Sequence, residues 1–165
     1  MAAKKVPSGR RYWLLKSEPS VYGWDHLVKD RRTHWDGVRN YQARNLLRDD
    51  IKVGDGVLFY HSNAKPTAVV GVAKVVKAGY PDHTALDKRS KYYDPDDSAE
   101  NPRWYMVDIA PVRGFAEPLD RDRLKAAAAL EKMMVLQRGS RLSVQPVTPA
   151  EWKAILRMGK LEVSW

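Results

Sequence analysis

The chain has 165 residues and a mass of 18.9 kDa, is 44% hydrophobic and 30% charged, contains no cysteine, and carries a formal net charge of +9. That length suits one domain able to bury a core without disulfides. The composition excludes thiolate zinc sites, and no apolar run approaches the roughly 20 residues of a membrane span. The excess of Lys and Arg points to a polyanionic partner, because cations that neutralise phosphates release counterions, and residues 1 to 52 alone hold 12 Lys and Arg against 6 Asp and Glu.

Residues 1 to 10 read as a disordered basic tail, residues 11 to 160 as the domain, and residues 161 to 165 as a C-terminal tail. Arg11 to Lys16, with its Tyr-Trp-Leu-Leu centre, is expected to be the first strand. Ser20 can cap a helix over Val21 to Lys29 that puts Val21, Trp24, Leu27 and Val28 on one face and is weakened by Gly23. Asn40 to Arg48 suggests a second short helix, and Ile51 to Gly56 turns into the apolar strand Val57 to His61. The valine-rich run Thr67 to Ala78 is a strand whose Gly71 signals a bulge, of the kind that curves a sheet. Residues 80 to 102, rich in Pro, Asp and Tyr, form an irregular excursion of the sort that shapes binding sites. Trp104 to Val112 follows as a strand, Asp120 opens a helix reaching Leu130, and Leu142 to Val147 is a late strand. Thr148-Pro149-Ala150-Glu151 is a capping box for a last helix running from Pro149 to about Met158. Short curved strands interrupted by small helices make the fold class α+β, a curved mixed barrel rather than a doubly wound sheet.

One stretch carries most of the functional information: His34-Trp35-Asp36-Gly37-Val38-Arg39-Asn40-Tyr41-Gln42-Ala43-Arg44-Asn45-Leu46-Leu47. Aromatic rings, guanidinium groups and amides gathered in one segment can stack on a flat ring and hydrogen-bond its edge, which points to a pocket for a nucleobase. A base is inspected on all edges only after it is flipped out of a duplex or taken from a single strand. Trp24, Trp35, Phe59 and Tyr60 are the candidate walls. Ser17, Asn40, Asn45, His61, Ser62 and Gln145 are the candidate edge contacts, Glu18 and Tyr41 are further candidates for the ligand site, and Arg39, Arg44 and Arg138 are those for the flanking phosphates. Trp24 reads equally as core, and Glu18 equally as a partner of backbone amides at its turn. Arg39 and Arg44 read equally as ion-pair partners of Asp36 or Asp49.

Three separated motifs, Trp13-Leu-Leu-Lys-Ser-Glu-Pro19, Trp35-Asp-Gly-Val-Arg-Asn-Tyr-Gln-Ala-Arg-Asn45 and Phe59-Tyr-His-Ser62, closely resemble the EVE domain family over residues 11 to 158. Gln137 and Ser140, ahead of Ser143-Val-Gln-Pro-Val147, extend the likeness. The resemblance implies a PUA-like fold related to the YTH and ASCH domains, and binding of DNA or RNA with a modified base, modified cytosine favoured. Structured RNA is the alternative ligand. An enzyme acting on nucleotides is the rival class, and it lacks its signatures: there is no Gly-x-Ser-x-Gly, and the histidines at 26, 34, 61 and 83 show no metal spacing. No cofactor, metal or membrane is expected as a partner. A reducing cytosol is the expected compartment, since the N-terminus lacks a leader's apolar core.

Overall fold

In the computed structural model, which describes residues 9–165, the first strand among the described residues is apolar on both sides. In β1 (Tyr12–Ser17), Trp13 and Leu15 point to one side and Leu14 to the other, and all three are fully buried. A strand covered on both faces reads as a continuous apolar run, which accounts for Tyr-Trp-Leu-Leu. The expected disordered tail falls almost wholly on residues 1–8, outside the described residues.

Five further strands complete the sheet among the described residues: β2 (Thr33–His34), β3 (Gly56–His61), β4 (Ala68–Pro81), β5 (Tyr105–Asp120) and β6 (Val144–Val147). Their spatial order is β2-β5-β4-β3-β1-β6. β1 runs parallel to β3, from Tyr12 opposite Gly56 to Ser17 opposite His61, while the other pairings are antiparallel. The sheet is therefore mixed. β4 and β5 are long, and their register shifts at Val69/Gly71, Val72/Ala73, Val75/Lys77 and Lys77/Tyr80. Each bulge adds local twist, so the expectation of a curved, bulged strand at Gly71 is met.

Short helices cover the two faces. The expected helix over residues 20–29 is two pieces, α1 (Pro19–Tyr22) and α2 (Trp24–Asp30), because Gly23 is extended (φ −99°, ψ 177°) between them. Only Leu27 of the expected apolar face is fully buried; Val21 and Val28 are about half exposed, since the break rotates α2 away from α1's register. α3 (Tyr41–Asn45) starts at Asn40 as expected but ends early and widens into a single π turn over Leu46–Asp50. β5 runs eight residues past the expected end at Val112, held to β4 as far as Asp120 opposite Ala68. That residue caps α4 (Arg121–Ala126), which stops short of Leu130.

The last helix, α5 (Pro149–Met158), carries the full capping box: the Thr148 hydroxyl accepts from the Glu151 amide at 3.1 Å, and the Glu151 carboxylate accepts from the Thr148 amide at 3.0 Å. Trp152 and Ile155 bury on the side of β1 that carries Leu14. Each such burial is worth about 1.5–3 kcal/mol. Residues 161–165 are not a loose tail: Leu161, Val163 and Trp165 pack on the same cluster, and the Trp165 indole donates to the Gly54 carbonyl at 2.8 Å.

Candidate functional site

The opposite face of the sheet bears a cleft of about 890 Å³, open to solvent, where the end of β1, α1, β2 and the segments around residues 36–39, 91–92 and 140–143 converge. Its floor is Trp35, of which 8% is exposed. The Trp35 amide donates to the Val107 carbonyl at 2.7 Å, fixing the backbone after β2 to β5. Its ring stands edge-on to Phe59 (5.5 Å, 86°) and to Tyr22 (6.5 Å, 88°). Such T-shaped contacts suit the ring quadrupoles and hold the indole in one orientation.

A second aromatic wall comes from the irregular excursion. Gly37 takes φ +79°, and a Cβ there would sit 2.5 Å from the Tyr92 ring, so only glycine lets that ring lie against the backbone. The segment is clamped by Asp82, whose side chain is fully buried. Its carboxylate accepts from the Gly37 amide (2.9 Å), Arg39 Nη1 (3.0 Å), and the Thr84 amide and hydroxyl (2.8 and 2.5 Å). Burial alone would raise the Asp82 carboxyl, but Thr84, Gly37 and Arg39 outweigh it and hold it below the usual carboxylate range. Arg39 in turn donates to the Tyr92 carbonyl from Nη2 (2.7 Å) and Nε (3.2 Å). The guanidinium is thus a structural clamp that also faces the cleft.

The polar lining is mixed in sign, with Lys16, Arg39, Lys91 and Arg141 against Glu18 and Asp36. Burial, then repulsion from Asp82, pushes the Asp36 carboxyl up; His34, with Nε2 3.6 Å away, pulls the other way and does not prevail. Burial, then Arg121, lowers the Lys16 ammonium, which donates to the Ser140 carbonyl at 3.3 Å. Hydrogen-bonding groups of both kinds therefore meet an aromatic floor. That combination has the chemistry to hold a flat, polar-edged ligand.

Of the residues expected at a site, Ser17, Glu18, Trp35, Arg39 and Ser62 line the cleft. The Ser17 hydroxyl donates to the Tyr22 carbonyl at 2.5 Å, and Glu18 accepts from the Asn63 amide at 3.3 Å. The others lie elsewhere. Phe59 is fully buried between Trp24 and Trp35, with no face left for a ligand. Tyr60, its neighbour on β3, points to the opposite side and joins the cluster under α5. Trp24 covers Gly71 and Gly114, where its ring would lie 2.6 and 2.8 Å from an added Cβ, so the core reading of Trp24 prevails. Asn40 caps α3 by accepting from the Ala43 amide at 2.9 Å. Asn45 accepts from Arg44 Nε at 2.9 Å, and His61 Nε2 accepts from the Trp24 amide at 3.1 Å. Gln145 is buried behind the cleft wall, donating to the Ser140 hydroxyl (3.1 Å) and the Leu142 carbonyl (2.8 Å). Tyr41, Arg44 and the exposed Arg138 are outside the cleft.

Sequence reasoning missed Tyr22, Asp36, Tyr92 and Arg141, and left Lys16 undecided between the two faces of its strand. Asp36 sits inside the most informative segment and Tyr92 inside the excursion expected to shape a site, so local signals existed without the partners that give them meaning. No group of three or more His, Asp or Glu side chains able to hold a metal ion occurs among the described residues.

Residues 11–158 match the family model described as EVE domain. The chain is 42% identical to thymocyte nuclear protein 1 of Rattus norvegicus, covering 93% of this chain and 75% of that one. Its structure is similar to that of a hypothetical protein from Leishmania major, with 48% identity, a TM-score of 0.87, and 92% and 95% of the two chains covered. It is also similar to the human THYN1 protein solved in complex with 5-methylcytosine-containing DNA, with 37% identity, a TM-score of 0.80, and 92% and 99% covered. The expectation of a cytosolic compartment is corrected here: the rat relative is named for the nucleus, and a chain without cysteine suits nucleus and cytosol alike.

Proposed function

The chain belongs to the EVE domain family, with that family's PUA-like mixed sheet, and from this premise we propose that it binds nucleic acid and takes one base into the cleft floored by Trp35, modified cytosine being preferred. The observation that carries the reading is the meeting of an aromatic floor and wall, Trp35 and Tyr92, with hydrogen-bonding groups of both signs at one cleft. Cytosine offers an exocyclic amine, for which a carboxylate such as Asp36 is the matching acceptor, and carbonyl and ring-nitrogen acceptors that suit Lys16 or Arg141. Val21 and Val38 supply apolar surface for a substituent on the ring. The human relative's complex with 5-methylcytosine-containing DNA supports the same ligand class. We read the chain as a binding module. Ser17 and His61, the residues from which a nucleophile and base would be built, are engaged with the backbone of α1 and α2.

The test is fluorescence anisotropy with matched single- and double-stranded DNA and RNA carrying cytosine or 5-methylcytosine, over a salt series. The expected result is a several-fold preference for the methylated base, a steep fall in affinity with salt, and a loss of about five- to tenfold in Asp36→Asn, the scale of one base-edge contact. Trp35→Phe is the control for the floor, because truncating so buried a tryptophan to alanine would cost about 3–5 kcal/mol of folding stability. Binding blind to methylation, or unchanged in Asp36→Asn, overturns the cleft assignment. No binding at low salt overturns the nucleic-acid reading.

A further inference from the structure

The segment of residues 137–143, which gives the cleft Ser140, Arg141 and Ser143, is electrically one-sided. Its carbonyls are occupied by donors of the protein. The Ser140 carbonyl accepts from Lys16 Nζ (3.3 Å), the Leu142 carbonyl from Gln145 Nε2 (2.8 Å) and the Ser143 carbonyl from the Lys16 amide (2.9 Å). Just before it, Arg121 donates to the carbonyls of Val135 (2.6 Å) and Leu136 (3.3 Å). The amides of Arg138, Gly139, Arg141, Leu142 and Ser143, in contrast, meet no acceptor among the described residues. Gly139 takes φ +78° and faces open space. The Ser140 hydroxyl accepts from Gln145 Nε2 at 3.1 Å and so keeps its proton to donate. Arg138 and Arg141 are exposed, and among the described residues neither guanidinium has a hydrogen-bond, carboxylate or ring partner. The segment thus occupies its acceptors and leaves its donors and two positive charges free.

We propose that residues 137–143 hold the phosphates of the strand whose base enters the cleft, Arg141 taking the phosphate beside that base and Arg138 the next one. The proposal rests on the nucleic-acid reading above. A base that swings out about its backbone brings its own phosphates to the rim of its pocket, and Arg141 is at that rim. Backbone amides and guanidinium forks are the groups from which phosphate oxygens accept. Lys16 and Arg121, held beneath the segment by its carbonyls, have no carboxylate partner among the described residues and add to the positive potential there. Residues three apart span at most about 10 Å, a reach that admits successive phosphates of one strand. The assignment also divides the work at the cleft. Lys16, half-buried and with two N–H groups left after the Ser140 carbonyl, remains for the acceptors of the base, while the exposed Arg141 goes to the backbone. Phosphate contacts fix position without reading sequence, so the segment supplies affinity and the facing wall supplies preference.

The test pairs a protein change with a ligand change. Arg138→Gln, Arg141→Gln and the double variant are measured by fluorescence anisotropy on single-stranded DNA with one central cytosine or 5-methylcytosine, over a salt series, and circular dichroism confirms the fold of each. The control is Arg157→Gln, which removes an exposed charge from α5 on the other face of the sheet. Arg141→Gln is expected to weaken both oligonucleotides by the same factor, roughly two- to fivefold, the scale of one exposed ion pair. It should flatten the slope of log affinity against log salt by about 0.7, and the double variant by about 1.4, whereas Arg157→Gln leaves affinity and slope unchanged. Replacing the phosphate on one side of the methylcytosine, 5′ or 3′, by an uncharged methylphosphonate should weaken the unaltered chain by a similar factor and Arg141→Gln hardly further, since both changes delete the same contact. Variants that behave as Arg157→Gln, protein and ligand losses that simply multiply, or an Arg141→Gln that loses the preference for methylcytosine at unchanged slope overturn the phosphate assignment while the cleft reading stands. A flattened slope in a chain blind to methylation upholds the segment and overturns the cleft reading. If the unaltered chain binds no oligonucleotide at low salt, both fall together.

Discussion

The Asp82 clamp gives the sharpest quantitative expectation, because one fully buried carboxylate holds both walls of the cleft. In Asp82→Asn, a side-chain amide replaces an oxygen that now accepts from Gly37 and Arg39, and two donors are left facing a third. Hydrogen bonds to a charged group contribute about 1.5–3 kcal/mol each, and breaking a buried pair by removing one partner costs about 3–5 kcal/mol. Arg39 is 24% exposed along its side chain and keeps the Tyr92 carbonyl, which puts the expected cost near the lower end, about 3 kcal/mol. For a chain of this length that is a fall in Tm of roughly 6–12 °C, readable by calorimetry and by urea denaturation. The double variant Asp82→Asn with Arg39→Met should recover part of the loss, since it removes the orphaned charge. The carboxyl is held below its ordinary 3.8 in the folded chain. Its contribution is therefore present above pH 3.8 and disappears as pH falls through the lower folded value, a component that Asp82→Asn should lack. A cost under 1 kcal/mol, or a double variant whose losses add, would refute the view that this pair organises the cleft.

Two further expectations concern the elements behind the site. Gly71→Ala places a Cβ 2.6 Å from the Trp24 ring and should destabilise the chain by about 1–3 kcal/mol, with Trp24→Phe in the same chain restoring part of it, as denaturation midpoints will tell. His61 must be neutral at Nε2 to accept from the Trp24 amide, and burial, outweighing Asp25, lowers its folded pKa below 6.5. Its contribution is full above pH 6.5 and lost as pH falls from there through the folded value. His61→Gln, whose oxygen accepts without titrating, should lose stability less steeply over that window, and an unchanged slope would remove the assigned role.

Much of the fold was legible in the sequence because its signals are local. The capping box at Thr148 and Glu151, the apolar strand at Val57–His61 and the bulge at Gly71 each depend on a few neighbouring residues and elementary sterics. Element ends were less legible. Whether α2 continues α1 is decided at Gly23, and β5 runs on to Asp120 because β4 is there to pair with it, which no local window contains. The site divided in the same way. The segment from His34 to Leu47 marked itself by composition, yet composition is blind to direction: Phe59 became packing for Trp35 and Trp24 packing for Phe59, whereas Tyr92, from the irregular excursion, became a wall.

By itself the sequence determined the family and the mixed curved sheet, and marked the segment from which the cleft's floor comes, since these follow from residue types in a fixed order. Only the tertiary structure decided which rings face solvent, which arginines are clamps, and which carboxylates line the cleft. Those outcomes depend on burial and on partners far apart in the chain, Asp82 with Gly37 and Arg39, and Trp104 with Tyr41, pairs that a linear reading cannot bring together.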